Sequence, residues 1–374
     1  MVIIGQIDKN TYFCEQIYAI MIGRKMNKQV IITILLALFT MAGQAQIKCH
    51  VEGTLETDAW GDEIIICEAG TDLRVLDDPH FHVKAKDGHF TYDIETDFPK
   101  LYKVFFLKQY ETGSWLTGKF LTENCNVNVT MYEDKPVRIV SNGEEGRKLA
   151  MRDSITAGRR PFRIAYAEKH PMLWTLYDVL DAIKMLKHAD VYVNFDKSEW
   201  EPYLTLYHDK LINYYPGHPV HEQIATAETA YRLQPGKPYI DYTVRNSDGQ
   251  LVPISTLTKG KVALIDLWAS WCGPCRRHSI KMIPIYERYK DKGFTVIAIA
   301  RERNREAMEN AAKKDGYPWP SLLELNDENQ VWRKNGVDNG GGAMYLIDRD
   351  GTILSTSTDA EELEAFIKAA IERE

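Results

Sequence analysis

Two cysteines separated by two residues, Cys272-Gly273-Pro274-Cys275, are the side chains in this sequence best suited to covalent chemistry. A thiol ionises to a nucleophilic sulfur, and a second thiol three residues on can close a small ring with it. The run Lys261 to Trp268 before them reads as a strand, and Pro274 to Tyr289 as a helix. That arrangement puts the first sulfur at a helix N-terminus, where unsatisfied N–H groups and the helix dipole favour the thiolate. Cys272 is therefore the expected nucleophile. Cys275, shielded one turn further in, is expected to resolve a mixed disulfide formed by Cys272. Pro274 suits the first turn because its missing N–H would have no partner there. An inert disulfide and half of a zinc site are the other readings of a bare Cys-x-x-Cys. No second Cys-x-x-Cys exists to complete four ligands, so redox cycling is preferred, with no metal and no cofactor.

Two further positions bear on this site, and a third group of residues could be mistaken for a metal cluster. Asp266 interrupts the apolar strand and shares a face with Leu264 and Trp268, so it should point into the core beneath the cysteines, where a carboxyl normally acquires a raised pKa. The alternative is an aspartate that simply hydrogen-bonds to backbone at a strand end. His278, one turn beyond Cys275, either supplies a charge or accepts a proton near the pair, or is a solvated histidine beside Arg276 and Arg277. A histidine and aspartate group, His80, His82 and His89 with Asp77, Asp78 and Asp87, lacks a closed ligand set of known spacing and reads as strand and turn residues.

The elements that must position the site follow from changes in period along the chain. From 46 to 142, short runs such as Glu63 to Cys67, Phe90 to Ile94, Tyr102 to Phe106 and Asn126 to Val129 are separated by turn residues, which predicts an antiparallel all-β unit. From 143 to 232, Leu173, Leu176, Tyr177, Leu180, Ile183 and Leu186 recur at helical spacing, and Ser198 with Glu201 forms a capping-box signature. The aromatic residues there, including Trp174, Tyr177, Trp200, Tyr203 and Tyr207, are expected to pack rather than to form a ligand box. Leu233-Gln234-Pro235-Gly236-Lys237-Pro238 marks the last boundary. From 233 to 374 strands and helices alternate: Phe294 to Ala300 and Arg305 to Lys314, then a hairpin around Asp348-Arg349-Asp350-Gly351, then a closing helix from Asp359 to Ile371. A βαβ core with a terminal hairpin makes the sheet mixed.

The segment Val262-Ala263-Leu264-Ile265-Asp266-Leu267-Trp268-Ala269-Ser270-Trp271-Cys272-Gly273-Pro274-Cys275 resembles the thioredoxin active-site segment almost position by position. The lead-in Ile254-Ser255-Thr256-Leu257 before Lys259-Gly260-Lys261, and the hairpin Tyr345 to Gly351, are similar to the exported TlpA/ResA branch, related to the AhpC/TSA proteins. The resemblance covers about the last 140 residues, a normal domain size. It implies an α/β thioredoxin-like domain, a mixed sheet flanked by helices, that exchanges dithiols and disulfides on other proteins, with Trp271 as a contact surface. It also gives Asp266 the role of moving protons to and from Cys275. The Gly-Pro dipeptide resembles the reducing member of the series, near about −270 mV, against about −120 mV for strong oxidants. A reductant of this kind implies a membrane-embedded dithiol carrier as electron donor. Two departures stand out: His278 replaces the glutamate usual in the exported branch, and Asn339-Gly340-Gly341-Gly342-Ala343-Met344 replaces the loop that carries a cis-proline, with Gly342 at the proline position. A cis bond before a non-proline residue costs about 2.5–4 kcal/mol, so this loop should be trans. The first unit resembles the β-sandwich-like domain that often precedes thioredoxin modules in exported bacterial proteins, through Lys86-Asp87-Gly88-His89-Phe90 and the strand Phe120 to Asn124.

Bulk properties bound the remaining readings. The chain has 374 residues, 44% hydrophobic and 26% charged, enough for two or three folded units. With Lys+Arg 46 against Asp+Glu 53 and no basic block, nucleic acid is not an expected partner. Lysines at 25 and 28, an apolar run Val30 to Ala42 and small residues up to Ala45 form a secretory signal pattern, too short for a permanent span, with cleavage after Ala45. Translation then begins at Met26, the alternative being a long n-region from Met1. The expected location is periplasmic, and the expected partners are disulfide-containing exported proteins. In that oxidising setting Cys49, Cys67 and Cys125 leave one thiol over, a Cys49 to Cys67 bridge being one arrangement. Two other functions remain: a thiol peroxidase, which Ala269-Ser270-Trp271 does not suit, and a binding or scaffold module whose disulfide only braces the fold.

Overall fold

A computed structural model describes residues 46–374 except 72–78, 114, 190–193, 247, 338–339 and 374. The expected leader over 1–45 lies outside the described residues, as do Asp77 and Asp78. No helix among the described residues is long and apolar enough to cross a membrane.

The first part of the chain builds two four-stranded sheets. Ile47–Leu55 (β1), His89–Thr96 (β4), Cys125–Met131 (β7) and Arg138–Ser141 (β8) make one, in the order β4-β1-β7-β8. Glu63–Glu68 (β2), His82–Lys84 (β3), Leu101–Phe106 (β5) and Gly118–Leu121 (β6) make the other, in the order β3-β2-β5-β6. Alternation decides which side chains enter: in β7, Cys125, Val127, Val129 and Met131 are buried while Asn126 and Asn128 face out. Val51, Phe90 and Val127 from one sheet meet Ile64, Val104 and Phe120 from the other in a shared core. Each such aliphatic or phenyl group stabilises the fold by about 1.5–3 kcal/mol through burial. The unit is not wholly antiparallel, because β1 runs parallel to β7. A parallel pair needs a long crossover, and here the chain visits the second sheet twice, through β2 and β3 and then β5 and β6, with β4 between, before it returns as β7. The strand expected from Phe120 to Asn124 ends at Leu121. A short helix, Leu107–Glu111 (α1), follows β5.

Five helices come next: Glu144–Thr156 (α2), Arg160–Ala167 (α3), Leu173–Lys187 (α4), Glu201–Leu206 (α5) and Val220–Tyr231 (α6). Carboxylates remote in sequence cap two of them. Glu123 accepts from the Glu145 and Gly146 N–H groups at the start of α2, and Glu145 in turn accepts from Leu173 N–H at the start of α4, at 2.7 Å. The Ser198 and Glu201 capping box does not form. Asp196 instead accepts from the Ser198 N–H and hydroxyl, and α5 begins with no side-chain cap. Trp174, Tyr177, Tyr203 and Tyr207 are buried in the helical core, as the spacing predicts, and the Arg160 guanidinium stacks on the half-buried Trp200 ring. Leu101 and Leu121 of the second sheet enter this same core.

The last part is a seven-stranded mixed sheet in the order β10-β9-β13-β12-β11-β14-β15. Its strands are Thr243–Arg245 (β9), Leu251–Pro253 (β10), Val262–Trp268 (β11), Phe294–Glu302 (β12), Ser321–Leu325 (β13), Ala343–Ile347 (β14) and Ile353–Ser355 (β15). Ile254–Thr258 (α7), Gly273–Tyr289 (α8), Arg305–Asp315 (α9), Val331–Lys334 (α10) and Ala360–Glu372 (α11) complete it. β11, β12 and β13 are parallel, while β14 and β15 return antiparallel. All seven residues of β11 are buried, as a central strand covered on both faces requires. Leu264 and Trp268 pack with Met282 of α8 and Ile367 of α11 on one face, and Ala263, Ile265 and Leu267 with Trp332 on the other.

Candidate active site

The end of β11 and the start of α8 bring the two cysteines together. Cys272 is the N-cap of α8, with extended backbone angles, and its sulfur accepts a hydrogen bond from Cys275 N–H at 3.3 Å. The two sulfurs form a disulfide across a Cα separation of 5.4 Å. Gly273 and Pro274 occupy the first turn and are exposed, and Trp271 is 48% exposed beside them. The exposure of the pair differs from expectation. Cys272 is 7% exposed and buried, whereas Cys275 is only half-buried.

The glycine loop is the reason. A methyl group on Gly341 would stand 2.4 Å from Cys272 Sγ and 3.2 Å from Cys275 Sγ, so bare backbone covers the first sulfur. At Gly342 a methyl group would stand 1.7 Å from the Leu267 carbonyl oxygen and 3.3 Å from Cys275 Sγ. Both positions demand glycine for close approach rather than for an unusual φ. No peptide bond among the described residues is cis, so the loop runs trans. The Trp332 indole N–H donates to the Gly340 carbonyl at 3.2 Å and holds the loop from below.

Beneath the disulfide lies a buried carboxyl. Asp266 is 1% exposed; its Oδ2 accepts from the Ser279 hydroxyl at 2.6 Å, and its Oδ1 has no hydrogen-bond partner. Burial pushes its pKa up to about 7, with the Ser279 hydrogen bond opposing. Ser279 Oγ also lies 3.0 Å from the Cys275 carbonyl oxygen. One hydroxyl proton serves one acceptor at a time. With Asp266 ionised, Ser279 donates to it; with Asp266 protonated, the carboxyl can donate to Ser279 and release that hydroxyl toward Cys275. The Ser279 hydroxyl thus links the buried carboxyl to the main chain of Cys275.

This carboxyl also ties stability to pH. The folded state favours the protonated form, so the folded chain holds an extra proton between the ordinary value near 3.8 and about 7. Its contribution is full below pH 3.8 and is lost as pH rises through 7. The melting temperature is expected to fall between pH 4.5 and 8, and Asp266→Asn to flatten that slope. An unchanged slope in the variant would mean that Asp266 titrates normally.

His278 has a main-chain partner outside the cysteine turn. Its Nδ1 hydrogen-bonds to the Thr358 carbonyl at 2.8 Å, which ties α8 to the chain entering α11. Sequence reasoning missed the groups that brace the loop before Cys272. Glu302, at the end of β12, accepts from the Ser270 N–H and from its hydroxyl at 2.9 Å. Arg276 grips Asp315 with two bonds, at 2.6 and 2.7 Å, and donates to the Ser270 carbonyl at 3.1 Å. Ser279 was detectable as the residue one turn beyond Cys275 on the Asp266 side; Glu302 and Asp315 carried no local signal. The histidines near the first sheets are dispersed, His82 on Glu63 at 2.6 Å and His89 near Thr54 at 3.4 Å. Among the described residues no three His, Cys, Asp or Glu side chains are placed to hold a metal ion.

A disulfide at a strand-to-helix turn, on a mixed sheet with helices on both faces, defines a thioredoxin-like α/β unit. The redoxin family model matches residues 234–371. The thiol-disulfide oxidoreductase ResA of Bacillus thuringiensis (strain Al Hakam) is 26% identical over 140 residues, 37% of this chain and 79% of that protein. The Bacillus subtilis (strain 168) ResA is 25% identical over 118 residues, 32% of this chain and 64% of that protein. A crystal structure of a putative thiol:disulfide interchange protein DsbE from Chlorobium tepidum is 30% identical, covering 37% of this chain and 99% of that one with a TM-score of 0.33. Over this C-terminal part, the chain is similar to thioredoxin-like proteins of the TlpA/ResA type.

Proposed function

We propose that the Cys272–Cys275 pair is the working site of a thiol-disulfide oxidoreductase that reduces or exchanges disulfides of exported proteins. The similarity to thiol-disulfide oxidoreductases supports redox activity of this kind. The observation that carries it is the Cys272 sulfur at the N-cap of α8, accepting the Cys275 N–H. A helix N-terminus stabilises the thiolate that must attack a partner disulfide. In the reductive direction, Cys272 thiolate attacks a partner sulfur, one partner thiolate leaves, and Cys275 then attacks Cys272 to free the second. Two electrons pass to the partner, and the chain ends with its own disulfide closed. A dithiol donor, proposed to be membrane-embedded, must supply those electrons again. Asp266 and Ser279 hold the proton that Cys275 gives up and regains, while Trp271 offers partners an aromatic surface. The periplasm suits both the resemblance and the signal pattern over residues 26–45.

The test is a redox titration of the full chain against glutathione, following tryptophan fluorescence. A reversible two-electron transition near about −270 mV supports a reductase. A much less negative midpoint indicates an oxidase or isomerase, and a pair that never cycles leaves a bracing disulfide in a binding module.

A further inference from the structure

The other described cysteines divide unequally. Cys67 lies in β2, whereas Cys49 and Cys125 stand opposite one another on neighbouring strands β1 and β7, their sulfurs 3.9 Å apart. The bridge considered for Cys49 and Cys67 is therefore replaced by a different neighbour, since Cys49 lies in the core between the sheets while Cys67 points to the opposite face of β2 with Ile65 and Phe105.

Both cysteines are buried at the rim of the core shared by the two sheets, and their placement also suits a bond between them. Neighbouring strands lie about 4.8 Å apart, within the span of about 4.4–6.8 Å that disulfides bridge between Cα atoms. Register partners point to the same face, so side-chain rotation can bring the sulfurs to about 2 Å without moving either strand. The Ser141 hydroxyl, from β8, donates to Cys125 Sγ at 3.5 Å, a polar partner that a packing methyl-sized group would not need. A surface cleft of about 520 Å³ is lined by both cysteines together with Lys48, His50, Asn124 and Asn126. The sulfur-to-sulfur contact and burial hold the first proton of the pair on the Cys49 side, and the Ser141 hydroxyl favours a thiolate at Cys125.

We propose that Cys49 and Cys125 form a second dithiol-disulfide couple, oxidised in the folded chain by a small disulfide such as glutathione disulfide. One of the two sulfurs, as thiolate, attacks one sulfur of the oxidant, giving a mixed disulfide and one glutathione thiolate. The other cysteine loses its proton and attacks the protein sulfur of that mixed disulfide, and the second glutathione thiolate leaves. The two cysteines lose two electrons and two protons; the oxidant becomes two thiols. The product joins the start of β1 to β7 across 76 residues of sequence.

The experiment uses the full chain carrying Cys272→Ser and Cys275→Ser, so that failure of the proposed active site cannot affect the result. The folded protein is incubated with glutathione disulfide, quenched in acid, alkylated in denaturant, digested and mapped by mass spectrometry. The expected product is a peptide pair linked through Cys49 and Cys125, with Cys67 still alkylated. Dithiothreitol reverses it, and oxidation raises the melting temperature by several degrees, because closing a long loop restricts the unfolded chain. Adding Cys125→Ser removes both the link and the thermal shift. Full alkylation of Cys49 and Cys125 after oxidation, or a link that forms only in urea, overturns the proposal.

Discussion

Replacing Cys272 by serine is expected to lower disulfide reduction at least about a thousand-fold, because serine supplies no thiolate and no other described cysteine can take its place at the helix start. Insulin reduction driven by dithiothreitol is a suitable assay. The companion variant separates the roles. Cys275→Ser keeps the attacking sulfur but removes the resolving one, so partner proteins should accumulate on Cys272 as mixed disulfides stable to gel electrophoresis without reductant. Equal loss in both variants with no trapped partner would contradict the assignment of Cys272 as the attacking sulfur. Retained activity in Cys272→Ser would place the chemistry elsewhere.

The second large effect concerns stability. Gly342→Ala is expected to cost roughly 3 kcal/mol or more, at the upper end for overpacking, because the added carbon would lie 1.7 Å from the Leu267 carbonyl. A carbonyl in a central strand cannot rotate aside as a flexible side chain can, since Leu267 is paired on both sides in β11. Gly273→Ala is the control. Its added carbon meets nothing nearer than Arg277 Nη1 at 3.4 Å, so the change should stay within about 0.5 kcal/mol. Urea midpoints of the two variants measure both. A Gly342→Ala protein as stable as the parent would show that the loop does not press against β11 as described.

The parts of the site that could be read from the sequence share one property: their signal is local. The strand β11, the helix α8, the cysteine pair and the inward aspartate all follow from residues within one short run. β13 escaped notice because Glu324, its fourth residue of five, is fully buried and breaks the apolar pattern. That carboxylate is satisfied by Asn329, through N–H at 2.6 Å and Nδ2 at 2.8 Å, a partner that exists only after the chain turns back. The parallel pairing of β1 with β7 was equally hidden, since nothing in either strand specifies a neighbour 76 residues away. The glycine run was visible, but its meaning was not. Its position was read against a proline, whereas its physical demand comes from two sulfurs and one carbonyl oxygen.

The helical layer touches both of its neighbours through specific bonds. His218 bonds the Pro99 carbonyl at 2.8 Å on one side, and His188 bonds the Gly336 carbonyl at 2.8 Å on the other. Lys187 adds a contact to the Tyr345 hydroxyl at 3.3 Å. A redox centre on a loose tether would sweep a volume and collide with targets from many angles. Here three side-chain bonds join the helical layer to the sheets on either side, a brace that opposes such sweeping and favours approach from fewer directions.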